Sequence, residues 1–310
     1  VGTPLIEKFG DGAVINRIDG AEVHYGGRTL TLRRKGVAHV IDRTAFDRSF
    51  SEGLDVSHSS RVTAVTRRAD GRYDIATDHA TFSADMVVGA DGPCSIVRRS
   101  LPFDSSVTLY GAYQQCVRTD LDDESAVIVD VVRPFFAWAI PEGNGIVRAG
   151  IVGKASDLER FKESHGICGE VIASFAAPIP VGKTCPLCGN AALVGDAAAQ
   201  TKPLSGGGLY YGMCAAELLA ESVGSGNLEE YPASWQKMFG KEISFGMSAR
   251  KLYEGMSDRD LERVFDVLCE VGGRIESEGD YDNHSSLARI LIGNPRLLAV
   301  LGKNLFSLIG

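Results

Sequence analysis

Two apolar runs constrain this chain more than anything else in it: Met86-Val87-Val88-Gly89-Ala90 and Ala191-Ala192-Leu193-Val194. Neither alternates polar with apolar residues, so neither suits a strand with one wet face. Each reads as a strand buried on both sides, as in a parallel sheet. Each also ends at a glycine beside an acidic residue, Asp91-Gly92 in the first and Gly195-Asp196 in the second. Open parallel sheets bind ligands beyond the carboxyl ends of their strands, so chemistry is expected at these two ends.

After Gly195-Asp196 the chain runs through Lys202-Pro203-Leu204-Ser205-Gly206-Gly207-Gly208-Leu209 into a helical pattern. A carboxylate at a strand end is aimed at a hydroxyl-bearing ligand. A glycine-rich helix entry offers N–H groups and a partial positive charge to an electron-rich atom. The ribityl hydroxyls and N1/C2 edge of a flavin fit that pair of features. A structural glycine-rich turn fits the residues as well, since such turns recur in many folds. The first run continues as Gly92-Pro93-Cys94-Ser95 and then Ile96-Val97-Arg98-Arg99, again a turn and a basic helix start.

The rest of the chain is organised around these runs. Val37 to Ile41 is apolar and leads into Asp42-Arg43-Thr44-Ala45-Phe46-Asp47, where Asp42 or Thr44 can cap a helix. Val62–Thr66 and Tyr73–Thr77 flank Ala69-Asp70-Gly71, a hairpin signal. Longer strands are expected at Leu109–Val117, Ala126–Val132, Phe135–Ile140 and Ile146–Val152, forming an antiparallel sheet that can wall an apolar pocket. A helix is predicted over Asp157–Phe175, then a connector at Ala177-Pro178-Ile179-Pro180, and helices beyond about Leu209.

Composition removes several classes. A net charge of −8 over 310 residues lacks the basic footprint of a nucleic-acid binder. No apolar stretch reaches the length of a membrane span, and no signal peptide is visible. Seven cysteines at scattered spacing do not make a secreted disulfide framework, so a reducing cytoplasm is the expected setting. Cys185-Pro186-Leu187-Cys188 admits three readings: a plain pair of thiols, a redox dithiol, or half of a zinc site completed by residues such as His165 and Cys168. The six histidines show no ligand spacing, and no metal is expected.

Gly89-Ala90-Asp91-Gly92, followed in order by Gly195-Asp196, resembles the signature of the flavoprotein fold shared by aromatic hydroxylases and geranylgeranyl reductases. Phe136-Ala137-Trp138-Ala139-Ile140-Pro141-Glu142-Gly143 resembles the Tyr-x-Trp-x-Phe-Pro-x-Gly stretch beside the isoprenoid pocket of geranylgeranyl reductases, with Phe136 for the Tyr and Ile140 for the Phe. Val40-Ile41-Asp42-Arg43 and the Lys202 to Tyr211 loop are also similar to that family. The resemblance covers most of residues 37 to 260. It implies an α/β (α+β) fold with an FAD-binding Rossmann-like domain of the aromatic-hydroxylase type over 1–103 and 181–228. An inserted antiparallel-sheet substrate domain is expected over 104–180, and a helical C-terminal region over 229–310. The N-terminal Gly-x-Gly-x-x-Gly unit of such proteins is not in this sequence, which implies that on the order of 70 to 80 residues precede it in the family.

The resemblance further implies an FAD-dependent reductase of isolated double bonds in geranylgeranyl chains. Its substrate would be an isoprenoid lipid or diphosphate. Its external electron donor would be a nicotinamide, a deazaflavin or a ferredoxin. Peripheral contact with a membrane is compatible with such a substrate. The implied cofactor residues are Arg43, Asp91, Gly92, Gly195, Asp196, Gly206, Gly207, Gly208 and Leu209. The implied substrate residues are Phe136, Trp138, Ile140, Pro141 and Gly143. On a strand, Phe136, Trp138 and Ile140 share one face. Tyr210 and Tyr211 are the nearest candidates for a proton donor, and no catalytic residue is assigned. The alternatives are an aromatic hydroxylase or halogenase on the same fold, and a non-catalytic lipid-binding protein.

Overall fold

The computed structural model describes residues 1–291 and residue 296. The chain forms two compact units. One comprises Val1–Ser49, Gly111–Ala177 and the chain from Ser244 on; the other comprises Phe50–Tyr110 and Pro178–Ile243.

In chain order the elements begin with helix α1 (Thr3–Phe9), strands β1 (Val14–Tyr25) and β2 (Arg28–Ile41), and helix α2 (Arg43–Ser51). Strands β3 (Val62–Arg67), β4 (Tyr73–Thr77), β5 (Thr81–Ala84) and β6 (Val87–Gly89) follow, then helix α3 (Ile96–Ser100). Next come β7 (Ser105–Arg118), β8 (Ala126–Val132), β9 (Phe135–Gly143), β10 (Ile146–Val152), helix α4 (Ala155–Ser164) and β11 (Glu170–Thr184). The short strands β12 (Leu187–Cys188) and β13 (Ala191–Leu193) lead through a 3-10 turn at Gly195–Ala198 to α5 (Leu209–Gly224). Helices α6 (Glu230–Gly255), α7 (Asp258–Glu270), α8 (Gly272–Glu278) and α9 (Ser285–Leu291) complete the described chain. The remainder of the expected C-terminal helical region lies outside the described residues.

The first unit is built on a seven-stranded sheet in the order β11-β7-β10-β9-β8-β1-β2. Its neighbours β7/β10, β10/β9, β9/β8 and β1/β2 are antiparallel, whereas β1 and β8 run parallel. The register of β9 follows its residues. Phe135, Ala137, Ala139 and Pro141 are buried, while Phe136, Trp138 and Ile140 on the other face are partly open. Ala137, Ala139, Ala149, Ile151 and Val117 pack against Leu158 and Phe161 of α4, and burial of this apolar surface holds the helix on the sheet.

The second unit carries the two runs that opened the sequence. They form β6 and β13, which pair in parallel with Val87 opposite Ala191 and Gly89 opposite Leu193, and β12 lies antiparallel beside β13. Val65, Tyr73, Val97 and Leu193 form the core beneath them. A separate sheet, β3-β4-β5, contains the expected hairpin at Asp70-Gly71.

One element differs from its sequence expectation. The helix predicted over Asp157–Phe175 stops at Ser164, and residues 170–184 form the strand β11 instead. Gly166, at φ +65, turns the chain in a left-handed conformation that few other residues adopt. Beyond it, Val171, Ile172 and Phe175 prefer a pleated surface to a helix. The Pro178-Ile179-Pro180 stretch lies inside this strand and not in a connector. It is tolerated because β11 is at the sheet's edge, where a missing N–H need not break a ladder.

Candidate functional site

The site is built at the carboxyl ends of β6 and β13. Val194 N–H donates to Gly89 O at 2.9 Å, so the two strands leave the sheet side by side. Gly89 is fixed by this packing: a Cβ there would lie 2.7 Å from Val97 Cβ and 2.8 Å from Leu193 Cδ2. Asp91 then turns back, and its Oδ2 accepts the N–H groups of Ile96 (2.7 Å) and Val97 (3.2 Å) at the start of α3. Ser95 caps the same helix through Arg98 N–H. The Asp91 carboxylate therefore shapes the Gly92 turn.

Arg98 links the two strand ends. Its guanidinium donates to the carbonyls of Pro93, Asp196 and Ala197. Burial pulls its pKa below the ordinary arginine value, opposed by the Asp91 charge. In the sequence Arg98 stands out only as part of a basic helix start. Its bridging role depends on a partner segment about a hundred residues away and carries no local signal.

Beyond β13 the chain folds tightly around Asp196. Gly195 sits at φ +64 and accommodates the turn. A Cβ on Gly212 of α5 would lie 3.2 Å from Gly195 Cα, so the turn and the helix meet through bare backbone. Gln200 Oε1 accepts Gly195 N–H at 2.7 Å, and Gln200 Nε2 donates to the Tyr231 hydroxyl at 2.9 Å. That hydroxyl donates in turn to Leu193 O at 2.7 Å. Burial raises the pKa of Tyr231 well above the usual phenol range, so it stays a neutral hydroxyl. Gln200 and Tyr231 belong to no motif, and this chain of bonds has no local sequence signal.

The glycine loop closes on the same point. Lys202 N–H donates to Gly207 O, and Gly206 N–H donates to Lys202 O, which folds Lys202 to Gly207 into a compact turn. Gly208 is the N-cap residue of α5, and no side chain caps that helix. A Cβ at Gly208 would lie 2.7 Å from Asp196 Oδ1, so the carboxylate rests against the helix start only because residue 208 has no side chain. The N–H groups of a first helical turn have no acceptor within the helix. Carboxylate, glycine cradle and helix N-terminus thus meet in one place, which suits the hydroxyl chain and electron-rich edge of a flavin.

Asp91, Gly92, Gly195, Asp196 and Gly206 to Leu209 all fall in this second unit. Arg43 belongs to the first unit, on α2, where its guanidinium forms a two-pronged pair with Asp47. Tyr211 is fully buried, its ring 4.4 Å from that of Phe239 and 6.0 Å from that of Trp235. Tyr210 is partly open, edge-on to Phe239. The Cys185 and Cys188 thiols take different carbonyl partners, Leu187 O and Pro102 O.

The aromatic strand is in the first unit. Phe136 and Trp138 meet edge to face at 5.7 Å, and Trp138 Nε1 donates to Gln114 Oε1 at 3.3 Å. Gly150 lies opposite Trp138 on β10, and a Cβ there would come 2.3 Å from Trp138 Cζ2. The indole is therefore laid over bare backbone, a feature that nothing in the sequence announced. Ile140 packs beside Ile18, Ala38 and Val40. Pro141 falls on the opposite, buried face, and Gly143 ends the strand. On the open face, Arg148 pairs with Glu142 at 2.8 Å, and that hydrogen bond raises the arginine's pKa.

The chain is similar to known proteins. Residues 39–129 match a family described as FAD binding domain. An uncharacterized protein of Methanocaldococcus jannaschii is 27% identical over 308 residues, covering 89% of this chain and 79% of that protein. Digeranylgeranylglycerophospholipid reductase 1 of Methanococcoides burtonii is 29% identical over 281 residues, covering 77% of this chain and 68% of the relative. Among solved structures, a geranylgeranyl bacteriochlorophyll reductase-like protein from Thermoplasma acidophilum superposes with a TM-score of 0.79 at 19% identity, over 98% of this chain and 88% of that one. The fold is thus the FAD-binding α/β fold of the aromatic-hydroxylase type. In its strand-end motifs, its aromatic strand and these relatives, the chain is similar to the geranylgeranyl reductases among FAD flavoproteins.

Proposed function

We propose that this chain is an FAD-dependent oxidoreductase that saturates carbon–carbon double bonds of geranylgeranyl chains, in the making of membrane lipids. The observation that carries the reading is the Asp196 carboxylate resting on the uncapped start of α5 at Gly208, in a chain with a digeranylgeranylglycerophospholipid reductase among its relatives. Reduced FAD, when bound, supplies the hydride equivalent that such a saturation requires.

The protein's part is to hold and orient. Asp196 accepts hydrogen bonds from ribityl hydroxyls, and the backbone from Gly206 to Leu209 faces the pyrimidine edge. Asp91 acts through α3, fixing the Gly92 turn. Arg43 is assigned a cofactor contact. Phe136, Trp138 and Ile140 offer an apolar wall to an isoprenoid chain, with Pro141 and Gly143 shaping its end. The cofactor is assigned to 1–103 and 181–228, and the substrate to 104–180. A nicotinamide, a deazaflavin or a ferredoxin serves as the electron donor. Among the described residues no helix is long and apolar enough to cross a membrane. The exposed Val171, Ile172 and Phe175 of β11 support a peripheral contact with lipid.

The test is anaerobic incubation of the protein with FAD, dithionite and a geranylgeranyl glycerolipid, followed by mass spectrometry. A mass gain of one dihydrogen per double bond, lost in Asp196→Ala, is the expected result. A product formed only with oxygen present would favour the hydroxylase or halogenase reading instead. Lipid recovered unchanged, with no flavin retained, would leave only lipid binding.

A further inference from the structure

β1 and β8 are parallel neighbours in the first unit, and their register sets His24 opposite Asp130. His165 follows the last turn of α4 and brings its ring to the same spot. His165 Nε2 and Asp130 Oδ1 share a hydrogen bond of 2.7 Å. One ligand atom from each of His24, Asp130 and His165 lies within 4.8 Å of the other two. The two imidazoles are 4.9 Å apart and tilted, and the Phe161 ring also lies 4.9 Å from that of His165.

An ion pair between His165 and Asp130 explains two of these residues and leaves the third. His24 Nδ1 lies 3.0 Å from the Thr29 hydroxyl. Its Nε2 is buried and has no hydrogen-bond partner. The nearest charge to it, Glu22 Oε2, is 4.0 Å away, too far for a hydrogen bond. A buried polar atom without a partner is costly and calls for an explanation. If Nδ1–H donates to Thr29, the tautomer is fixed and the Nε2 lone pair points into the cluster, the arrangement that a second hydrogen bond imposes on metal-binding histidines.

We propose that His24, Asp130 and His165 form a site for a borderline divalent transition-metal ion, with Zn2+ as the representative case. Two imidazoles and one carboxylate suit such an ion, whereas Mg2+ and Ca2+ prefer oxygen ligands alone. Bonds of about 2.0 to 2.2 Å in a tetrahedral site place ligand atoms roughly 3.3 Å from one another. The observed cluster brackets that spacing, so side-chain adjustment suffices to close it. The ion takes the place of the proton shared by His165 and Asp130, which leaves as it binds. Three protein ligands leave a fourth position for Glu22, two residues from His24 on the same side of β1, or for a water. Water has access, because His24, Thr29 and Asp130 line an open cavity of about 420 Å³.

Zinc titration of chelator-treated protein by calorimetry tests the site, with Co2+ and its visible absorption bands as the reporter of geometry. The expected result is one ion per chain with the intense bands of a four-coordinate site. Binding should weaken about tenfold or more in His24→Phe, Asp130→Asn and His165→Gln, and should be unchanged in the double variant Cys185→Ser/Cys188→Ser. His24→Phe keeps a ring in the stack while removing the lone pair, so it should fold; equal flavin content confirms this. A zinc-dependent rise in Tm should appear in the wild type and vanish in His24→Phe. Either no saturable binding to the wild type, or binding that survives loss of His24, would overturn the proposal.

Discussion

Asp196 and Gly208 occupy adjoining space so closely that a methyl group on residue 208 would lie 2.7 Å from Asp196 Oδ1. The carboxylate and the helix start define each other's position. Gly208→Ala should therefore push the carboxylate aside without unfolding the second unit. The expected outcome is a rise of about tenfold in the Kd for FAD, equivalent to about 1.4 kcal/mol, read from quenching of flavin fluorescence. An unchanged Kd would detach Asp196 from flavin binding.

Arg98 should matter for stability and cofactor affinity together. Arg98→Met keeps the aliphatic stem and strands the carbonyls of Pro93, Asp196 and Ala197. Loss of these charged hydrogen bonds should cost about 2 kcal/mol, visible as a lower urea midpoint. FAD affinity should fall in parallel, since the Gly195 turn loses its tie to the Asp91 turn. A variant with native stability would show that the guanidinium bridge contributes nothing net.

Gly150→Ala addresses the aromatic wall. The new methyl would meet the Trp138 ring at 2.3 Å, and overpacking of this kind costs about 1 to 3 kcal/mol. The indole has to swing away from Gln114, so its fluorescence should shift. KM for an isoprenoid substrate should rise more than kcat falls. An unaltered tryptophan signal would mean that β10 moves instead of the ring.

His39 gives the first unit a dependence on pH. Burial lowers its pKa below 6.5, reinforced by the charge of Arg17. The unfolded chain therefore binds the proton at higher pH than the folded one. Stability is fully present above pH 6.5, declines as the pH falls through that value, and levels off below the folded pKa. Urea midpoints measured from pH 8 to pH 5 should show this slope in the wild type and a flatter one in His39→Gln. Identical slopes would place the titration elsewhere.

The two strand-turn-helix motifs were legible because each is local. A run, a turn and a helix start are adjacent in sequence, and both runs form strands that pair in parallel. Only Ala191–Leu193 is buried on both faces, however, Val88 of the first run being exposed. The open face of Phe136, Trp138 and Ile140 was equally plain from the two-residue period of a strand. The features without a local signature are assembled at long range. Arg98 reaches Ala197, Gln200 reaches Tyr231, and Gly150 receives Trp138 from the neighbouring strand. His24, Asp130 and His165 have no spacing that a motif could register. The helix expected beyond Ser164 fails for another reason: Gly166 turns the chain in a left-handed conformation, and Val171, Ile172 and Phe175 suit the sheet edge beside β7 that follows.

The parallel pairing of β6 with β13 also bears on how the protein comes to be folded. Val87 and Ala191 are about a hundred residues apart in the chain, so joining them closes a very large loop before any local contact rewards it. Contacts of such high sequence separation form slowly. The turns that carry Asp91 and Asp196 can come together only after this late step. A refolding experiment should then show most secondary structure recovered first and flavin fluorescence quenched in a slower phase. Because FAD binds only after that step, its presence should slow unfolding far more than it speeds folding.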